Sequence, residues 1–180
     1  VSVPVVRRVR AAEWREIRDL RIDAVGDPAA SIAFLSTVDQ ERAHDEAFWR
    51  ERAAGASLSD EAAQFIADDE GRWVGTVTVL LRAAGTADHL GRPVADARAD
   101  VVGVYVAPSQ RGSGVLGRLV DAAAAWAADR GADQLTLDVH VDNHRAQGAY
   151  RKLGFAATGE TFTSVIGPEM IMVRAGRVSA

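Results

Sequence analysis

Val101-Val-Gly-Val-Tyr-Val-Ala-Pro-Ser-Gln-Arg-Gly-Ser-Gly-Val-Leu-Gly-Arg-Leu-Val120, continued by an alanine-rich run to Arg130-Gly131, is the stretch that decides the fold. Val101 to Val106 is β-branched and apolar and reads as a buried strand. Pro108 ends it, because proline has no N–H to give to a sheet. Gly112 and Gly114 then allow a tight turn and a close approach. From Val115 the period changes: Val115, Leu116, Leu119, Val120, Ala123, Ala124 and Ala127 recur at helical spacing, and Gly131 suits the helix end. The unit is strand, glycine loop, helix. Its helix N-terminus, with Arg111 and Arg118 near it, offers free amides and a positive dipole end to a phosphate or pyrophosphate.

Three kinds of loop do this. A Walker A loop needs Lys and Ser or Thr where this chain has Arg118 and Leu119, so its magnesium ligand is missing. The dinucleotide fingerprint G-x-G-x-x-G is matched by Gly112, Gly114 and Gly117, and the acidic Asp138 follows a second strand. Yet Ala107 to Arg111 separates strand from first glycine, and too little chain follows Asp138 for a doubly wound sheet. The third kind depends on the rest of the chain.

With 180 residues, 1–180 reads as a single domain with its own core. The net charge of −4, with mixed signs, makes no case for nucleic acid or a membrane surface. There is no cysteine, which removes disulfides, thiolate catalysis and Cys-type zinc sites. No metal site is expected. No apolar run reaches the length of a membrane span and no secretory h-region is evident, so a cytoplasmic location is expected.

Val3–Val9 is the first predicted strand and Glu13–Ala24 a helix with Trp14, Ile17, Leu20 and Ile22 inward. Asp39–Ala54 reads as a second helix, stopped at Gly55, with Phe48 and Trp49 as core packing. Ala63–Asp68 and Arg72–Leu81 form a hairpin around Asp69-Glu70-Gly71. Ala83–Ala99 is a long polar loop, with His89 read as a solvated histidine. Gln134–Val141 alternates as a strand with two distinct faces, and His144–Leu153 is a short helix ended by Gly154. Phe155–Ala157 and Glu169–Arg174 read as two more strands, linked through Gly159 and Gly167-Pro168.

Arg111-Gly112-Ser113-Gly114, entered from the Val-Tyr-Val-Ala-Pro strand, resembles the acyl-CoA loop of the GNAT family of N-acetyltransferases. Asn143, Ala146, Tyr150 and Leu153-Gly154-Phe155 match that family's second signature, N-x-x-A-x-x-x-Y-x-x-x-G-F. The two motifs, in order and with a strand between, cover about Asp100 to Phe155. One departure is visible: the loop's last place, Gly or Ala in the family pattern, is Leu116.

The resemblance implies an α/β (α+β) fold: a mixed, mostly antiparallel sheet of about seven strands with helices on both faces. It implies acetyl-CoA as cosubstrate and transfer of the acetyl group to a primary amine by direct attack in a ternary complex. The amides around Gly112, Ser113, Gly114 and Val115, with Arg111, would hold the pyrophosphate. The strand edge at Val104 to Val106 would pair with the amide-bearing pantetheine arm, and backbone N–H groups near Val106 would face the oxyanion. Asn143 would bond the cofactor, although as a helix N-cap its amide has an equally simple use. Tyr150 would protonate the departing thiolate; without the motif it would pass for a core tyrosine. A general base must take a proton from the attacking ammonium: Asp100 stands first, Asp138 on the polar face of the next strand second, with a water chain as a third route. By fold analogy Glu13–Ala54 and the Ala83–Ala99 loop wall the acceptor site. The acceptor stays open between a small-molecule amine and a protein N-terminus, and a homodimer is allowed. The rival in a different class is a GNAT-fold sensor or interaction module that binds acyl-CoA and does no chemistry.

Overall fold

A computed structural model of the chain describes residues 3–175. Seven strands form one sheet in the order β1-β2-β3-β4-β5-β7-β6. They are β1 (Val5–Arg8), β2 (Ala62–Asp69), β3 (Arg72–Arg82), β4 (Arg98–Val106), β5 (Gln134–His140), β6 (Ala156–Ser164) and β7 (Gly167–Ala175). Only β4 and β5 run parallel; every other neighbouring pair is antiparallel. Helices α1 (Trp14–Val25), α2 (Val38–Ala43) and α3 (Glu46–Leu58) precede the hairpin, whereas α4 (Val115–Ala128) and α5 (His144–Lys152) flank β5.

The alternation of the strands divides the core in two. Val77, Val79, Val101, Leu135, Leu137 and Met172 face α4 and α5, meeting Leu119, Val120, Ala123 and Tyr150. On the other face Ile66 and Val9 meet Trp14 and Ile17 of α1 and Trp49 and Ala53 of α3. The expected mixed sheet with helices on both faces is what the chain forms.

Two segments differ from the reading of the sequence. Asp39–Ala54 is not one helix. Thr37 opens α2 with a capping box to Gln40, the chain leaves helical geometry at His44, and the Asp45 carboxylate accepts from the Phe48 amide to start α3. Gly55 does not stop α3, which runs on to Leu58. The stretch after Phe155 is not a short strand and a loop. Ala156–Ser164 pairs along β7 as an edge strand, with a register shift between Ala157 and Thr161 that absorbs Gly159 as a bulge. Its side chains are almost all exposed, so no apolar alternation announces it.

A bulge in β4 positions everything functional. Thr78 pairs with Val102 but Thr76 with Tyr105, so β4 carries one residue more than β3 there, and Gly103 supplies φ 60°. The extra residue reverses the alternation: Ala99 and Val101 face the α4 side, and after the bulge Val104 and Val106 do. Beyond it β4 has no strand on its other edge, because it pairs with β5 only at Ala99–Leu135 and Asp100–Thr136. The sheet splays there.

Gly75 on β3 lets α4 sit down on the sheet. A Cβ at Gly75 would lie 3.1 Å from Leu119 Cδ1 and from the Tyr105 carbonyl, and 3.3 Å from Val115 Cγ1. Gly75→Ala is therefore expected to cost about 1–3 kcal/mol through overpacking. It should also weaken acetyl-CoA binding, since Val115 begins α4. Urea denaturation and a binding titration on the same variant check both effects.

Candidate active site

Two clefts meet at the splay. The first, about 580 Å³, lies along the open edge of β4 and takes in Val104, Tyr105 and Val106. Gly112, Gly114, Leu116 and Gly117 close one end of it, and Ala146, Ala149 and Tyr150 of α5, with Leu153 just after it, close the far side. Gly112 and Gly114 hold φ 80° and 86°, which residues with a Cβ adopt at a cost. Gly114 is the N-cap of α4, and no side chain caps that helix, so its first amides are left for an anion. Arg111, His144, Arg145 and Lys152 add a basic rim. Backbone donors, a basic rim and an open strand edge fit the phosphates and the amide-bearing arm of acetyl-CoA.

Leu116 does not obstruct the turn. Its side chain lies half-buried against the main core at the cleft wall. Gly117 has a separate use, since a Cβ there would stand 3.2 Å from Leu153 Cδ2, where α4 meets α5.

Other residues singled out from the sequence fall as follows. Arg111 lines the cleft, donating from Nε to the Val106 carbonyl at 3.1 Å and pairing with Asp27. Arg118 points away and donates to the Pro4 carbonyl. Ser113 hydrogen-bonds the Gln110 carbonyl and Val115 is buried in the core; neither is among the lining side chains. Asn143 takes the N-cap role. It accepts from the Ala146 amide at 3.2 Å, reaches the Ile32 carbonyl at 3.5 Å, and is not among the residues lining either cleft.

Tyr150 projects from α5 into this first cleft. Its ring is buried edge-on against Phe155, with centroids 5.8 Å apart. Burial pushes the phenol up to about 12, so the hydroxyl keeps its proton across the neutral range.

The second cleft, about 520 Å³, lies on the other side of the bulge. Val101, Val102 and Gly103 line it, where Val104 to Val106 line the first, and Ala33 and Phe34 belong to both. Asp138 of β5 and Glu169 of β7 reach it from the splayed strands. The two strands pair His140 with Glu169 and Asp138 with Ile171, so the two carboxylates are diagonal neighbours on one face. Asp138 Oδ2 accepts from Arg92 at 2.6 Å, while Oδ1 and Glu169 Oε1 are buried without a hydrogen-bond partner among the described residues. Burial raises the Asp138 carboxyl above the usual carboxylate range, against the opposing pull of Arg92.

Asp100 is differently placed. It accepts from Arg98 Nε at 2.7 Å and from Arg82 Nε at 3.4 Å, and it is not among the lining residues of either cleft. The Ala83–Ala99 stretch is a polar, mostly exposed strap held by its own hydrogen bonds, and its last two residues, Arg98 and Ala99, belong to β4. The buried Asp88 carboxylate takes the Leu90 and Arg92 amides and the Arg92 and Arg98 guanidiniums. That fold carries Arg92 to Asp138 and exposes His89 at the second cleft. The expected walls, Glu13–Ala54 and Ala83–Ala99, do contribute lining residues to the second cleft, but sequence reasoning singled out none of Glu169, Arg92 and Arg52. Charged residues with no motif read as surface, and only the tertiary fold gathers them. Among the described residues no group of three or more His, Asp or Glu is assembled to hold a metal ion, and no helix is long and apolar enough to cross a membrane.

The acetyltransferase (GNAT) family model matches residues 18–155. Aminoglycoside N(6')-acetyltransferase type 1 of Stenotrophomonas maltophilia is 31% identical over 144 residues, covering 71% of this chain and 90% of that protein. The fold matches the crystal structure of a GNAT-family acetyltransferase from Streptococcus pneumoniae with a TM-score of 0.73 at 16% identity, over 95% of this chain and 98% of that one. It also matches yncA of Salmonella typhimurium, solved with its cofactor acetyl-CoA, with a TM-score of 0.71 at 17% identity, over 99% and 97%. The chain belongs to the acetyltransferase (GNAT) family and is an acetyl-CoA-dependent N-acetyltransferase.

Proposed function

We propose that this chain transfers the acetyl group of acetyl-CoA to the primary amine of a small molecule by direct attack in a ternary complex. One observation carries the reading: two clefts of ligand size abut at Gly103–Val104, with Tyr150 in one and Asp138 in the other. When bound, acetyl-CoA supplies an activated thioester carbonyl and a thiolate leaving group.

The residues divide the work. The α4 N-terminus with Gly112, Gly114 and Arg111 holds the pyrophosphate, and the Val104–Val106 edge aligns the arm. In the second cleft Asp138 Oδ1, without a hydrogen-bond partner among the described residues, takes the proton that the attacking ammonium must lose. Its raised pKa makes it a stronger base than an exposed aspartate. Asp100 is held in its ion pairs and serves as structure. Tyr150 Oη donates its proton to the sulfur as the C–S bond breaks. The name of the 31% identical relative makes an aminoglycoside the reference acceptor against which other small amines are compared.

Thermal-shift titration tests the cofactor half. At about a hundred times its Kd acetyl-CoA should add roughly 2.7 kcal/mol of stability, while NAD and ATP should add little. A shift with NAD alone would return Gly112–Gly117 to the dinucleotide reading.

A further inference from the structure

We propose that the acceptor is bipolar, carrying its amine at one end and a carboxylate or similar anionic group that pairs with Arg52 at the other. The proposal deepens, and rests on, the reading of the second cleft as the acceptor site. Arg52 projects from α3 into that cleft beside Arg21. The neighbouring arginines are all committed. Arg21 pairs with Glu41 at 2.7 Å and bonds Ser36, Arg92 holds Asp88 and Asp138, and Arg98 and Arg82 hold Asp100. Arg52 alone of these has no hydrogen bond and no ion pair among the described residues. Its guanidinium lies over the buried Trp49 ring, 5.7 Å from the centroid, which orients it without neutralising it. Burial, with the like charge of Arg21 added, lowers its pKa although Glu41 opposes this, the direction a cation lacking a close partner shows.

The charges of the cleft are separated in space. At the α1–α3 end Arg21 and Arg52 share one carboxylate, Glu41. At the β5–β7 end Asp138 and Glu169 face the cleft beside His89, Arg92 pairs with Asp138, and Asp138 Oδ1 and Glu169 Oε1 are buried without a hydrogen-bond partner among the described residues. One end is thus formally a positive charge in excess and the other a negative one. An ammonium suits the carboxylate end, which is also where the amine must be to lose its proton. A planar guanidinium with no protein partner suits a carboxylate, which it can take with two parallel hydrogen bonds. A polycation would fill the carboxylate end equally well but would press a positive charge against Arg52.

The test compares matched acceptors on the whole chain. Straight ω-amino acids from β-alanine to ε-aminocaproate, and α-amino acids, are each set against the amine of the same skeleton without the carboxylate, with kanamycin as the polycation. Acetyl-CoA-dependent thiol release is read for the native protein, Arg52→Met and Arg52→Lys. The expected result is that the best acceptor carries a carboxylate. Arg52→Met should then raise its KM by about tenfold or more, Arg52→Lys should restore part of the loss, and the bare amines and acetyl-CoA affinity should not change. Binding is read in parallel as a thermal shift with CoA present, so acceptors that turn over poorly still report. The proposal is overturned if no carboxylated amine binds or reacts better than its counterpart. It is equally overturned if kanamycin is preferred and Arg52→Met leaves that preference as it was. Failure of acetyl-CoA itself to bind would show in the cofactor titration and would remove the underlying reading as well.

Discussion

Tyr150→Phe should bind acetyl-CoA as the native protein does and turn over roughly 10²–10⁴-fold more slowly. The substitution removes one oxygen and keeps the ring that packs on Phe155. Stability should therefore change little, and a loss of rate cannot be laid to misfolding. The phenol sits at about 12. As its pKa lies far above neutrality, the native rate should show no alkaline fall between pH 7 and 9 from this group. A tyrosine of merely structural use would give a Phe variant with normal turnover, so stopped-flow or steady-state thiol release decides the role.

Asp138→Asn should be the second severe loss, and its pattern separates Asp138 from Asp100. Asp138 binds its proton more tightly when folded than when exposed, because desolvation raises it. Two consequences follow. Stability contributed by Asp138 is greatest at low pH and declines as pH rises through the raised value, so Asn should fold at least as well as Asp at neutral pH. Arg92 still keeps Asp88 at 2.7 Å. Catalysis runs the other way: the base works only when ionised, so the native rate should rise with pH along a limb lying above the ordinary carboxylate range. Asp138→Asn should lower kcat/KM by roughly 10²-fold or more and abolish that limb. Asp100→Asn should do the reverse. It takes the charge from a buried carboxylate that holds Arg82 and Arg98, costing about 2 kcal/mol, and leaves turnover of the folded fraction near normal. Because the Asp100 charge also helps hold Asp138 up, its removal should move the acid limb toward lower pH. Equal pH profiles for the native protein and Asp138→Asn would rule Asp138 out as the base.

What could be read from the sequence follows the local rules that govern each element. The strand, loop and helix of Val101–Gly131 were legible because periodicity and glycine placement are local, and they supply one wall of the first cleft. Tyr150 was singled out through its motif, and the fold places it at the wall of the first cleft. Asp45 caps α3 inside a run that read as one helix because helix-forming residues stand on both sides of it. Edge strand β6 was not legible, since an edge exposed on nearly all its side chains has no hydrophobic pattern to show. Glu169, Arg92 and Arg52 were not legible for a different reason. Their roles depend on which charges the fold brings opposite one another, and in the sequence each is an ordinary surface residue. The sequence put Asp100 ahead of Asp138 as candidate base; the pairs they make in the sheet are what tell them apart.

The most direct measurement is amine-dependent release of CoA thiol from acetyl-CoA, with the product followed by mass. The chain has no cysteine, so thiol reagents report CoA alone. The account predicts saturable release with at least one small amine, matched mole for mole by the N-acetylated amine and lost in Tyr150→Phe. Binding of acetyl-CoA with no amine-dependent release, across bare amines, amino acids and aminoglycosides alike, would contradict it and leave an acyl-CoA-binding module in place of an enzyme.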